Sequence, residues 1–377
     1  MSITEELAEI PLVDQHCHSV VLEELDRPAF TELLTEARSR EPTELDTHAG
    51  LAVRRWCAPL LGLSAHADPD AYLAQRAEIG GREASRRLLR ACGTDRLLVD
   101  TGLSWPGLCD LDELASLAGA RAHEVTRMEH VVEQLAAGGV EAGKLGPAIE
   151  QALGECAARS VAFKTVAAYR VGLDLAPAAP TAVEVRRAAD RWLATCDRTG
   201  RIRLDDATLV AHAVWSCLPL GRPLQVHVGF GDSDLTLHRC DPSLLTPFLR
   251  SLPPGAPPVV LLHCYPYHRQ AAYLAGVFPQ VVLDVSLAVN HVGPRASVVL
   301  AETLELAPFG SLLYASDGFG LAELHHLGAA LFRDALGRLL DGYLADDVLS
   351  VSDARRFAHL VAAGNARRVY RLDEADP

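Results

Sequence analysis

Five side chains in this sequence have the types and positions to hold a metal ion and use it. Asp14-Gln15-His16-Cys17-His18 follows the short apolar run Ile10-Pro11-Leu12-Val13. Two histidines at i and i+2 on a strand point to one side of the sheet, so they can present two imidazoles to one ion. Three further apolar runs end in ionisable residues, at His227, His263 and Asp317. Imidazole and carboxylate donors suit zinc, with manganese and iron as alternatives. A bound divalent ion lowers the pKa of water far enough to supply hydroxide near neutral pH. Asp317 would then take the proton as ligand, base or both, and His263 would be ligand and catalytic residue together. The bland alternatives are core histidines for His227 and His263 and a helix N-cap for Asp317.

A second group of residues is suited to holding a substrate. Lys164 stands inside the apolar run Val161-Ala162-Phe163-Lys164-Thr165-Val166, where an unpaired cation is costly. It could be a carbamylated bridge between two metals, a plain cation for a substrate carboxylate, or a lysine whose stem snorkels to the strand end. Tyr169 and Arg170 fall on the loop expected next, and the Arg170 fork matches a carboxylate. Glu124 and Arg127 flank another strand end, with a surface pair as the alternative. Asp232 and His238, Tyr265 and His268, and His291 lie on the loops expected after the strands that carry His227, His263 and the seventh apolar run.

The elements that would position these residues are eight short apolar runs, near 12–16, 97–100, 122–127, 161–166, 223–228, 258–263, 281–285 and 312–317. Helical patterns separate most of them, including 128–137, 183–196, 205–217, 269–275, 321–346 and 352–363, with a stop expected at Gly364. Near-continuous apolar strands alternating with helices indicate a parallel α/β sheet. Eight such units fit a (β/α)8 TIM barrel formed by one domain over 1–377. Residues 20–92 read as a mainly helical insertion covering one end, and 373–377 as a frayed tail. No dinucleotide fingerprint or phosphate loop occurs.

Composition narrows the class. The chain has 377 residues, 49% hydrophobic, enough for a large core. Its formal charge of -14 argues against a nucleic-acid surface. Nine scattered cysteines without a CxxC argue against a disulfide framework. No secretory signal or bilayer-spanning run is seen, so the expectation is a cytoplasmic protein acting on a small molecule, with no nucleic-acid or membrane partner. A homo-oligomer is the common default.

The set DQHCH, LQVHVG, LLHCYP and YASD, in that order, resembles the amidohydrolase-related branch of the amidohydrolase superfamily. AFKTVAAYRVGLDL at 162–175, HVGFGDSDLTL at 227–237 and GNARRVYRL at 364–372 are closest to the domain fused to glutamine-synthetase-like domains in fungal developmental regulators and nodulin-type proteins. The resemblance implies a divalent metal at the C-terminal end of a (β/α)8 barrel. His16 and His18 would be first-strand ligands, His227 the fifth-strand ligand, His263 the sixth-strand histidine and Asp317 the eighth-strand aspartate. Lys164 falls where binuclear members place a carbamylated lysine, and one tightly bound ion is the expected count. The implied activity is hydrolysis of an amide-type C–N bond in a small carboxylate-bearing substrate, a γ-glutamyl amide being one candidate. A metal-dependent decarboxylase and a non-catalytic binding or assembly barrel are the alternatives. Any coupling to the fused half found in relatives would be lost here or supplied by a separate ligase-type partner.

Overall fold

The computed structural model describes residues 2–36 and 44–372, so the expected tail at 373–377 lies outside the described residues. Seven parallel strands form one sheet in sequential order: β1 (Leu12–Cys17), β2 (Thr94–Asp100), β3 (Arg121–Arg127), β4 (Ser160–Thr165), β5 (Leu224–Val228), β6 (Val259–His263) and β7 (Val281–Leu283). The segment 312–317 closes the curl. Leu313 N–H donates to the Leu283 carbonyl at 2.9 Å, while Gln15 N–H donates to the Tyr314 carbonyl at 3.2 Å and Asp317 N–H to the His16 carbonyl at 3.1 Å. This eighth segment therefore joins β7 to β1, but by scattered backbone bonds and without a ladder. The architecture is an α/β barrel with helices outside it.

The interior of the barrel is layered, and strand periodicity explains the layers. Val13, Leu98, Val125, Ala162, Val260, Val282 and Leu313 fill the lower interior with Val369 and Tyr370 from the C-terminal helix Asn365–Tyr370. Two residues further along the same strand faces, Leu98 gives way to Asp100, Val125 to Arg127, Ala162 to Lys164 and Val282 to Asp284. A period of two keeps these residues facing inward while moving them toward the strand ends. Gln15, Gln225 and Tyr370 bond to one another between the apolar floor and the ionisable rim.

Several elements differ from the sequence pattern. Gly364 does not stop the last helix. It holds right-handed helical angles, φ −60 and ψ −40, and the chain continues to Tyr370 because Val369 and Tyr370 have the barrel floor to fill. Helices Ile3–Glu9, Leu111–Ala118, Ala142–Ala157 and Ala296–Leu304 have no counterpart in the periodicity reading. Ala142–Ala157 carries Pro147 and three glycines, and packing outweighs their poor propensity: Gly146 sits where a Cβ would be 3.0 Å from Val185. Between β1 and β2 the chain forms Arg27–Leu34, His48–Ala52, Pro69–Ile79 and Gly81–Ala91, with tighter turns between them. Their apolar faces share a cluster with Leu321, Leu324 and Leu327. Among the described residues, no helix is long and apolar enough to cross a membrane.

Candidate metal centre and substrate cavity

Asp317 is the meeting point of the site. Its Oδ1 lies 3.2 Å from His16 Nε2 and 3.6 Å from His18 Nε2, and its Oδ2 lies 3.4 Å from His263 Nδ1. His227 joins through its ring, whose centroid is 4.5 Å from that of His263. The turns that place these groups are unusual. His263, Cys264 and Asp317 all have positive φ, at 69°, 60° and 51°. Non-glycine residues there cost about 1–3 kcal/mol each and persist where the surroundings hold them. Gly229, at φ +85, follows β5 directly, and a Cβ on it would lie 2.2 Å from the Tyr265 carbonyl. Glycine is therefore required where the loops after β5 and β6 touch.

The tautomers follow from the partners. His16 Nδ1 lies 3.0 Å from Gln225 Oε1, and His18 Nδ1 lies 3.2 Å from the Asp100 carbonyl. Both oxygens only accept, because the Gln225 amide nitrogen is already directed at the Gln15 carbonyl and the Tyr370 hydroxyl. Nδ1 therefore carries the proton in both rings. His263 Nδ1 lies 2.8 Å from Ser286 Oγ, whose own proton goes to Asp284 Oδ1 at 2.6 Å, so His263 also donates from Nδ1. All three rings are left with Nε2 as the lone-pair nitrogen, the arrangement outer partners impose on metal-ligating histidines.

Burial favours the neutral ring at His16, His263 and His227. Burial, followed by the charge of Lys164, pushes His16 down to about 4. Burial pushes His263 down to about 3 and His227 well below the usual imidazole range. Burial also opposes ionisation of Asp317, and its carboxyl stays well below the ordinary range only through positive charge set against it, from protonated imidazoles or from a bound cation. His227 Nε2 is buried with no hydrogen-bond partner. An orphaned imidazole nitrogen beside two other Nε2 acceptors and a carboxylate fits a divalent ion of the zinc class.

Lys164 belongs to the same cluster. Its Nζ donates to His16 Nε2 at 2.8 Å and pairs with Asp100 Oδ2 at 3.3 Å. Arg127 reaches the same Asp100 oxygen through Nη2 at 2.6 Å. Burial lowers the Lys164 pKa, and Asp100 opposes that shift. Asp100 itself stays ionised against burial because Arg127 and Lys164 flank it.

A cavity of about 510 Å³ opens over the metal residues. Lys164, Tyr169, Arg170, Arg127, Asp232 and His291 all line it. Tyr169 lies against His227, ring centroids 4.6 Å apart, and Arg170 pairs with Glu133 at 3.2 Å. The remaining candidates sit elsewhere. Glu124 pairs with Arg159 at 3.0 Å, away from the cavity wall. His238 is exposed on a short turn. Tyr265 and His268 stack on each other and line a neighbouring pocket, where His268 meets Glu302 at 2.8 Å. His291 borders both spaces.

Three residues that the sequence patterns did not single out prove central, Asp100, Gln225 and Ser286, and Glu36 joins them on the cavity wall. Asp100 ends β2 as Asp317 ends its own segment, so the same strand-end rule covers it. Gln225 is a polar residue two positions before His227 in an otherwise apolar strand, which is a detectable signal. Ser286 and Glu36 lie on loops and carry none.

A family model described as amidohydrolase matches residues 13–372. Protein fluG of Emericella nidulans is 28% identical over a 413-residue alignment covering 97% of this chain and 46% of that protein. The chain thus spans about half the length of the curated relative it matches. A crystal structure from Lactobacillus casei, whose description proposes a metal-dependent hydrolase, superposes with a TM-score of 0.87 at 28% identity, covering 99% of this chain and 98% of the other. Uronate isomerase from Thermotoga maritima superposes with a TM-score of 0.62 at 13% identity, covering 98% and 96%, a likeness of fold alone.

Proposed function

The chain belongs to the amidohydrolase family, and on that footing we propose that it is a metal-dependent hydrolase of an amide-type C–N bond in a small, carboxylate-bearing substrate. A γ-glutamyl amide is one candidate. The observation that carries the reading is the convergence of His16, His18 and His263 on the Asp317 carboxylate, with the unpartnered His227 Nε2 close by, at the floor of a cavity whose lining includes Arg127, Lys164 and Arg170.

We read His16, His18, His227 and Asp317 as the residues that hold one ion, with zinc first and manganese or iron next. His263 stands beside them as a further ligand or as an acid–base residue. When bound, the ion supplies Lewis-acid polarisation of a carbonyl and a water of lowered pKa. Asp317 accepts a proton at its carboxylate and delivers it to the departing nitrogen. His263, fixed as the Nδ1–H tautomer by Ser286 and Asp284, offers Nε2 as a second acceptor. Lys164 is read here as an unmodified cation, because Asp100 already pairs with it. Arg170 faces the cavity with Nε and Nη1 buried and unpartnered, and those donors suit the substrate's carboxylate.

The test is a turnover screen of γ-glutamyl amides, N-acyl amino acids and aromatic acids on metal-loaded protein. Release of an amine or ammonia supports the reading. Release of carbon dioxide, without an amine, would replace hydrolysis by decarboxylation on the same residues.

A further inference from the structure

The walls of the cavity are sorted by polarity around the barrel rim. Its lysine and arginines come from β3, β4 and the stretch after β4: Arg127, Lys164, Arg170 and Arg203. The chain after β2, after the 312–317 segment and after β7 supplies Leu103, Trp105, Phe319, Leu324 and Leu287 instead. Among the described residues no lysine or arginine lines the cavity from that arc, and the stretch after β1 adds Glu32 and Glu36 beside Leu33. Trp105 is 36% exposed. A single exposed indole is ordinary, but this one continues into the site. Its ring meets Phe319 edge to face, centroids 6.0 Å apart at 88°, and Phe319 meets the His18 ring in the same way at 5.7 Å and 86°. An aromatic wall thus runs from the rim to a metal-site residue. Both loops are tied down. Gly102 N–H donates to Asp100 Oδ1 at 2.9 Å and Cys109 N–H to the Val20 carbonyl at 3.0 Å, on either side of Trp105. Gly320 N–H, next to Phe319, donates to the Ser19 carbonyl at 2.9 Å. Apolar surface held in place in this way loses little to ordering when a ligand covers it.

We propose that Trp105 and Phe319 form the subsite for the amine half of the substrate, and that this half carries an apolar ring. This deepens the hydrolase reading, on which it rests, by naming the class of the departing group. The carboxylate of the acyl half goes to the arginines after β3 and β4, and the scissile carbonyl goes to the residues around Asp317. The departing half is then left with the arc that offers an aromatic wall and no cation. Ammonia or a small alkylamine would leave that wall wet, whereas a ring stacked on it removes apolar surface of both partners from water. The cavity, about 510 Å³, lies within the range of roughly 300–1,000 Å³ that holds ring-bearing ligands.

Calorimetric binding to the metal-loaded full chain tests this with two ketones, which put carbon where the amide nitrogen would be and so have no C–N bond to cleave. 5-Oxo-5-phenylpentanoate carries the carboxylate, the carbonyl and a ring, and 5-oxohexanoate carries a methyl group in place of the ring. Covering the ring predicts a preference of about tenfold to a hundredfold for the phenyl ketone. Trp105→Ala is expected to cut that preference severalfold, and Phe319→Ala to do the same. The readout is a ratio within one protein, so a variant that merely loosens the fold weakens both ketones and does not imitate the loss. A parent without the phenyl preference, including one that binds neither ketone, would overturn the proposal, as would a preference that Trp105→Ala leaves intact. Because binding is read and not turnover, a protein that prefers the phenyl ketone through Trp105 yet hydrolyses no amide would overturn the hydrolase reading and leave the ring subsite standing.

Discussion

Asp317 is the carboxylate that three imidazoles share, and its backbone is held at φ +51 to put it there. A change that keeps its shape but removes its basicity separates chemistry from assembly. Asp317→Asn is expected to lower turnover by about a thousandfold or more while the protein still carries metal. Near-normal turnover by a metal-loaded variant would remove Asp317 from the proton path. Gln225 makes a subtler case. It lies outside the cavity wall, but it accepts from His16 Nδ1 and so helps to fix that ring's tautomer and orientation. Gln225→Leu is expected to weaken metal affinity by about 10–100-fold in a chelator competition, and an unchanged affinity would deny it that role. His16, His18, His227, His263 and Asp317 were legible in sequence because each ends an apolar run. Glu36 was not, since a loop glutamate acquires meaning only from what the fold brings near it.

At the scale of elements, the strand ends matter more than the strands. The β5 and β6 exits cross where Gly229 passes under the Tyr265 carbonyl. Gly229→Ala adds both a positive-φ penalty and a backbone clash, so a loss of at least about 2 kcal/mol is expected in denaturant titration, together with weaker metal binding. A variant as stable as the parent would mean that the crossing can relax. The strands themselves were readable because burial on both faces leaves a run of apolar residues. The helix Ala142–Ala157 was hidden for the opposite reason. Pro147 and its glycines speak against a helix locally, and only contact with Val185 and His212 makes one. The extension past Gly364 likewise depends on a barrel floor that no local pattern reveals.

At the scale of the whole molecule, the barrel buries an uncommon number of ionisable groups, and acid should find them. Burial pushes His325 down to about 4, and both of its ring nitrogens lack hydrogen-bond partners. Its folded pKa lies below the unfolded value near 6.5, so its contribution to stability is complete above 6.5 and drains away as pH falls toward about 4. Asp14 and Asp284, raised by burial to about 7 and about 6, act in the opposite sense. The parent curve therefore mixes the two, and the variant isolates one. His325→Gln is expected to lose less stability than the parent between pH 6.5 and 4, by up to about 3 kcal/mol. Parallel curves would show that His325 titrates normally.

The account as a whole requires that segments separated by some three hundred residues close around one ion. Elemental analysis of the purified chain, beside variants His16→Ala and His227→Ala shown to be folded by circular dichroism, asks that question directly. One divalent ion per chain in the parent, lost from both variants, is the predicted result. A parent that binds no stoichiometric metal under loading conditions, or variants that keep it fully, would contradict the assembly of this site.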